Sequence, residues 1–217
     1  QNAKLNFSGT MLSALSPLPV SSFKKISNHK INKENDKNYF HWSEGDISLG
    51  RIGKTINASR KENLTNSITY GVDRFTEDNG VEGFALRYGI DDMDVGNVGS
   101  NLDSRTYNIT YYNTSPMKND TKYIDKIFGL GKINSDILTI SDGNRLTAER
   151  TGHQVYGTLK IKDEYKKNNY TLIPSGQIDL GHTKLDGYSE IGTSAISVKD
   201  QHITTQNLRA SLALVDD

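Results

Sequence analysis

The sequence lacks cysteine, and it lacks an excess of either charge. Without cysteine there can be no disulfide framework, thiolate metal site or cysteine nucleophile. The 26 Lys and Arg residues balance the 26 Asp and Glu residues, so the formal net charge is +0. A chain with no basic surplus has no electrostatic footprint for nucleic acid, and we expect no nucleic-acid partner.

Long apolar runs are also missing. No stretch approaches the roughly 18 apolar residues that indicate a membrane-spanning helix, and the mean hydropathy is -0.62. These features exclude a helical membrane protein. They do not exclude a membrane β-barrel, because every second side chain of a barrel strand faces an aqueous interior. Gln1 is not followed by a secretion signal, so we expect any signal to lie upstream, in a longer precursor.

Residues 1–38 show no regular pattern. Two prolines and then a Lys- and Asn-rich run occupy residues 16–33, and both features argue against a packed core. Leu5, Met11, Leu12 and Leu15 would share one face of a helix, which makes Ala3–Leu15 a candidate for a short helix. We predict a linker here and a single β-domain over residues 39–217.

From residue 39 onward, apolar and polar residues alternate with period two, which predicts β-strands. In the clearest segment, residues 83–90, one face carries Phe84, Leu86, Tyr88 and Ile90, and the other Gly83, Ala85, Arg87 and Gly89. We predict about eight strands, starting near Trp42, Asn63, Val81, Ser104, Thr121, Thr151, Tyr170 and Gln201. The phase of Phe40 and Trp42 does not continue to Ile47 and Leu49, so we infer a β-bulge near Gly45.

The predicted connections alternate in length along the chain. Short turns are expected at residues 76–80, 116–120 and 166–169, and long loops at residues 54–62, 95–103, 141–150 and 186–200. An outer-membrane barrel has short periplasmic turns and longer outer loops, so the alternation favours that class. The pattern leaves open which face points inward, and an antiparallel soluble sandwich or a lipocalin-like binding module remains the alternative.

Several segments resemble the autotransporter β-domain. These are residues 42–53 (WSEGDISLGRIG), 67–73 (SITYGVD) and 83–89 (GFALRYG), the last followed by Asp91 and Asp94, with later matches at residues 123–131 and 172–181. Each segment alone is unspecific, and their order and spacing carry the resemblance. It extends over roughly residues 39–217.

The resemblance implies an all-β fold, an antiparallel up-and-down meander that forms a transmembrane β-barrel of 12 strands, of which about eight lie in this sequence. It also implies a linker or helix threading the pore just before the first strand, which assigns residues 1–38 to the end of an exported passenger. The implied partners are outer-membrane lipid, the chain's own upstream passenger, the barrel-assembly machinery and periplasmic chaperones. Because the sequence ends at Asp217 without a terminal aromatic strand, we expect it to be truncated.

No catalytic, cofactor-binding or metal-binding residue is predicted. Ser21 and Lys24 match an S-x-x-K pattern, but no K-T-G follows. Gly129 and Gly131 precede a lysine without the rest of a phosphate-binding loop, and they are interpreted as positions facing a barrel interior. An enzyme that uses loop carboxylates has only generic Asp and Glu positions in its favour.

Two groups of residues are of types that can bind metals. The acidic run of residues 91–94 lacks the spacing of an EF-hand and is interpreted as a solvated loop end. The five histidines show no metal-ligand spacing, and most fall near strand ends: His29, His41, His153, His182 and His202. The sequence therefore predicts a membrane translocator and anchor with no enzymatic activity.

Overall fold

The computed structural model describes residues 39–53, 59–117, 121–167 and 169–216. The predicted helix over Ala3–Leu15 and the predicted linker over residues 1–38 lie outside the described residues. Within them, no helix combines the length and the apolar character needed to cross a membrane.

Eight long β-strands make up most of the described chain. They are β1 (Tyr39–Ile52), β2 (Lys61–Phe75), β3 (Val81–Val95), β4 (Ser100–Pro116), β5 (Lys122–Ser141), β6 (Asn144–Asp163), β8 (Tyr170–Leu185) and β11 (Gln201–Asp216). Three short strands lie between the last three long ones: β7 (Tyr165–Lys167), β9 (Tyr188–Ser189) and β10 (Ser197–Val198). The predicted number of eight long strands is confirmed, but the strands predicted to start near Ser104 and Thr151 begin earlier, at Ser100 and Asn144.

The long strands form one antiparallel sheet in which each strand pairs with the next, in the order β1-β2-β3-β4-β5-β6-β8-β11. Short β7 pairs with β8, and β9 pairs with β10 in a separate hairpin. The described part of the sheet is therefore an up-and-down meander with β1 at one edge and β11 at the other.

The sheet curls toward one of its faces. The indole of Trp42 on β1 reaches the hydroxyl of Tyr112 on β4, and these atoms are 3.0 Å apart. The two strands are three steps apart in the sheet, which is about 14 Å at the usual interstrand spacing. Side chains converge across that distance when the face carrying them is concave, so we call this face the inner face.

The register of β1 against β2 corrects the predicted bulge at Gly45. Pairing runs without interruption from Tyr39 opposite Arg74 to Ile52 opposite Lys61. The phase changes because Trp42 lies on the inner face, whereas Ile47 and Leu49 lie on the outer face.

Two of the four predicted long loops are wrong. β3 and β4 are joined by residues 96–99 alone, and β5 and β6 by Asp142 and Gly143 alone. Asp142 has φ 50° and Gly143 has φ 79°, as a two-residue hairpin turn that matches strand twist requires. The loops at residues 53–60 and 186–200 are confirmed as long, and the turn over residues 76–80 is confirmed as short.

The connections define the two ends of the sheet. The turn end holds residues 76–80, 117–121 and 164–169 together with the start of β1. The loop end holds residues 53–60, 96–99, 142–143 and 186–200.

Candidate functional site

The middle of the outer face is apolar. Phe84 is 58% exposed, Leu86 58% and Leu212 68%, although a soluble fold would bury such side chains. The same face carries further exposed apolar side chains on neighbouring strands: Ile68, Tyr70, Ile109, Phe128, Leu130, Leu159, Ile178 and Leu180. Tyr70, Phe84 and Leu212 do not converge in a dry interior, which contradicts the soluble sandwich.

The inner face is mostly polar and small. Its buried residues include Thr65, Thr69, Ser104, Thr106, Asn108, Thr110, Ser135, Gln154 and Thr183. Hydrogen bonds join several of them across strands; the hydroxyls of Ser104 and Ser135, for example, are 2.8 Å apart. The predicted interior positions of Gly129 and Gly131 are confirmed, since both lie in the inner-face phase of β5.

An aromatic and acidic cluster lies on the inner face near the turn end. Trp42 Nε1 donates a hydrogen bond to Asp73 Oδ1 at 2.9 Å, and the hydroxyl of Tyr112 donates to the same carboxylate oxygen. Asp73 and Tyr112 are each 2% exposed. The three side chains come from β1, β2 and β4, so the cluster fixes the curvature of the sheet.

Glycines make room for these rings. A Cβ atom at Gly71 would overlap the indole of Trp42, and one at Gly83 would lie 2.6 Å from the hydroxyl of Tyr112. In the middle of the sheet, a Cβ at Gly129 would overlap the ring of Tyr156, whose hydroxyl is 2.5 Å from Thr110 Oγ1. Aromatic side chains thus lie flat over glycines and bridge neighbouring strands.

Toward the loop end the pattern inverts. Met93, Leu102, Ile137 and Ala148 form a buried apolar cluster on the inner face. Over the same strands, the outer face carries carboxylates paired in one register row: Asp92, Asp103, Asp136 and Glu149. An apolar inside and a charged outside are typical of a sheet surrounded by water.

The loop over residues 186–200 packs against this inverted region. The side chain of Tyr188 contacts the apolar cluster, and the Arg150 guanidinium lies 5.4 Å from the centre of its ring. Thr147 and Ile191 exchange backbone hydrogen bonds of 3.1 and 2.8 Å. A hydrogen bond from Thr151 lowers the pKa of Asp186 below its ordinary value, so this loop carboxylate is charged at neutral pH.

The interpretation of the acidic run of residues 91–94 as a solvated loop end is wrong. The run lies inside β3, where Asp91 and Met93 are buried on the inner face while Asp92 and Asp94 are exposed on the outer face. Because alternate residues point to opposite faces, the run cannot converge on one ion. Among the described residues, no group of three or more His, Asp or Glu side chains could hold a metal ion.

Two features were not apparent from the sequence. His182 and His202, 20 residues apart, lie side by side on β8 and β11 with ring nitrogens 3.3 Å apart. The three residues of the Trp42 cluster are also distant in sequence, and only the register of the strands brings them together. Ser21, Lys24 and His29 lie outside the described residues.

Taken together, these observations define a class of protein. A single meandering sheet, apolar on its convex face and polar on its concave face, is inside out with respect to a soluble β-protein. This distribution is characteristic of transmembrane β-barrels.

Comparison with known proteins identifies the family. The model of the autotransporter β-domain family matches residues 41–215, and the chain belongs to this family. It is the translocator domain of a type V secretion protein of the bacterial outer membrane, and it acts in transport, not as an enzyme. No curated protein matches the chain by sequence.

Solved structures that share the fold include two autotransporter domains. The translocator domain of the autotransporter NalP from Neisseria meningitidis is 14% identical, with a TM-score of 0.73, over 96% of this chain and 71% of that chain. The β-domain of the Bordetella autotransporter BrkA is 16% identical, with a TM-score of 0.61, over 79% of this chain and 68% of that chain.

Proposed function

We propose that residues 39–217 form part of a closed barrel whose outer face contacts lipid and whose inner face lines an aqueous pore. The observation that carries this proposal is the change of pattern along the strands. In mid-sheet the apolar side chains point outward, as at Leu86 and Ile109, whereas toward the loop end they point inward, as at Leu102 and Ile137. Hydrocarbon around the first zone and water around the second account for the change.

The tilt of the apolar band supports the same arrangement. Followed toward the loop end, the apolar residues of the outer face end at Leu49 on β1. On β5 they end at Leu130, and the next outward residue is Lys132. Leu49 shares a register row with Asp136, six residues beyond Leu130. Six residues correspond to about 20 Å along the strand and four strand steps to about 19 Å across it, which gives a tilt of about 45°. Strands of outer-membrane barrels are tilted by about 35–45°.

Closure of the barrel requires strands beyond those described. β1 and β11 each pair on one side only within the described sheet, and an unpaired strand edge in hydrocarbon costs several kcal/mol per group. The family fold implies about four further strands between β11 and β1. The 71% coverage of the NalP translocator chain is consistent with that number.

Residues 1–38 join β1 at the turn end, where the short connections are. In a barrel of this class short turns face the periplasm, so a segment entering there reaches the cell surface only through the pore. We therefore assign residues 1–38 to a linker that threads the pore and connects it to an upstream passenger. The inner face carries small and polar residues such as Thr69 and Ser135. Such a lining leaves space and water for an extended chain whose backbone groups stay hydrated.

The partners follow from this role. The proposed contacts are outer-membrane lipid along the convex face, the passenger segment in the pore, and the barrel-assembly machinery and periplasmic chaperones during insertion. Family membership supports the passenger as a partner.

The test is export in intact cells. The full-length protein carries a protease-sensitive reporter upstream of Gln1, and added protease should remove the reporter while the domain stays folded in the outer membrane. A reporter that remains protected until the outer membrane is permeabilised, with the domain correctly inserted, would overturn the translocator assignment.

A further inference from the structure

Basic side chains collect at one border of the outer apolar band. On β4 the apolar run ends at Arg105, on β5 at Lys132 and on β6 at His153, while on β8 it ends at His182 and Lys184. We define Arg105, Lys132, His153 and Lys184 as the basic strip. All four side chains are exposed on the outer face.

The strip is continuous across four neighbouring strands. Lys132 is directly opposite His153, which is directly opposite Lys184. Arg105 lies one diagonal step from Lys132, because the direct partner of Lys132 is Tyr107. Four strands correspond to a width of about 14 Å at the usual spacing.

The cations of the strip are available to a ligand. Lys132 forms no ion pair within the described residues. Arg105 is 3.9 Å from Asp136 and Lys184 is 3.8 Å from Asp186, and both pairs are exposed. Exposed pairs of this length contribute little, so an anion of higher charge can replace the carboxylate.

The height of the strip restricts the kind of anion. Apolar side chains such as Leu130 and Val155 precede the strip on the side of the turn end, and the carboxylates Asp136 and Glu149 lie four residues, about 13 Å along the strands, from Lys132 and His153 on the side of the loop end. Tyr88 and Tyr107 adjoin the strip with ring centres 5.2 Å apart, at a level where membrane proteins place aromatic residues. An anion bound here would lie between acyl chains and water, where a lipid carries its phosphate.

We propose that the basic strip binds the phosphates of a lipid that carries more than one phosphate, in the outer leaflet, with its acyl chains resting on the apolar band. This inference rests on the proposed insertion in the membrane with the loop end outward. The apolar depression below Tyr88 and Tyr107, about 570 Å³ in volume and lined by Ile68, Leu86 and Leu130, offers a seat for an acyl chain.

The test uses the full-length protein in detergent and native mass spectrometry, with diphosphorylated lipid A as the probe and dephosphorylated lipid A as its uncharged counterpart. The strip variant is Lys132→Gln with Lys184→Gln. The control variant, Lys126→Gln with Lys166→Gln, removes the same charge from exposed positions toward the turn end.

Each lysine near a lipid surface changes affinity about fivefold, so the strip variant should bind the diphosphorylated probe about 25-fold more weakly. The control variant should match the parent protein, and the dephosphorylated probe should not distinguish the three proteins. Equal weakening in both variants, equal binding of both probes, or full displacement by millimolar inorganic phosphate would each overturn the lipid assignment.

Folding is read on the same samples from the shift between unheated and heated protein in gel electrophoresis. A folded protein that fails to prefer the phosphorylated probe contradicts the strip alone. A protein that does not fold in detergent or insert in bilayers contradicts the proposed membrane function, and with it the strip.

Discussion

The indole nitrogen of Trp42 donates a hydrogen bond to the Asp73 carboxylate at 2.9 Å, although 31 residues separate the two in sequence. Asp73 is almost fully buried, so it depends on this donor and on the Tyr112 hydroxyl. The bond ties β1, the edge strand, to the inner surface of its neighbours.

Replacing the donor should weaken the sheet. We expect Trp42→Phe to lower the free energy of unfolding by about 1–3 kcal/mol, because it leaves a buried carboxylate short of a partner. Urea unfolding in vesicles, followed by circular dichroism, measures the effect. Tyr107→Phe removes an outward hydroxyl and should change the free energy by about 0.5 kcal/mol or less. Equal effects of the two substitutions would contradict the role of the cluster.

The glycine beneath the indole should not tolerate a side chain. Gly71→Val forces the ring of Trp42 to move and should cost about 1–3 kcal/mol by overpacking. The cost should fall in the double variant Gly71→Val with Trp42→Ala, which a double-mutant cycle reports as coupling. Gly176→Val is the matched control, since no atom lies within 4 Å of a Cβ there. Strictly additive effects at positions 71 and 42 would argue against the contact.

A charge placed on the outer apolar band should oppose insertion. Leu86→Lys should make folding into a bilayer less favourable by about 2–4 kcal/mol, the cost of a lysine at the midplane of a barrel. Gln177→Lys introduces the same charge on the inner face beside Asp179 and should leave insertion largely intact. The fraction that inserts into vesicles, read from gel mobility before and after heating, compares the two. Equal insertion would mean that Leu86 does not face lipid.

The loop over residues 186–200 should loosen when its anchor is removed. Tyr188→Ala deletes the ring that contacts the inner apolar cluster and lies beside Arg150. We expect trypsin to cleave after Lys199 several-fold faster in this variant, because cleavage follows the population of the open loop. Ile191→Ala alters an exposed side chain of the same loop and should have little effect. Unchanged cleavage in Tyr188→Ala would show that the ring does not hold the loop.

The two faces of each strand could be distinguished from the sequence because, in mid-sheet, large apolar residues alternate with small or charged ones. Phe84, Leu86 and Ile90 alternate with Gly83, Ala85 and Gly89, and the structure keeps this division. Which face is concave could not be predicted, since alternation is symmetric, and only the curvature of the sheet and the exposure of Phe84 show that this side chain lies on the outer face.

The prediction of a long loop over residues 141–150 failed for a physical reason. Beyond the apolar band, Leu146 and Ala148 point inward and Glu149 points outward, as in a sheet surrounded by water. The apolar residues therefore change from one face to the other within a single strand. A prediction that expects apolar residues on the outer face throughout mistakes this segment for a loop. The Asp-Gly pair at residues 142–143, a strong hairpin signal, would have corrected it.

The Trp42 cluster could not be predicted from the sequence. The successive pairing of strands β1 to β4 brings its three residues together, and no local pattern links residue 42 to residue 112. The apparent break between Trp42 and Ile47 was a real signal, but its cause is an inward-facing indole and not a bulge.

The central claim is that hydrocarbon surrounds the outer face and water fills the inner one. Because the chain contains no cysteine, single cysteines at Leu86 and at Ser67 can carry an environment-sensitive dye in vesicle-inserted protein. We predict that a quencher attached to lipid acyl chains suppresses the dye at position 86 and that an aqueous quencher suppresses it at position 67. Acyl-chain quenching at position 67 with aqueous quenching at position 86 would contradict the account.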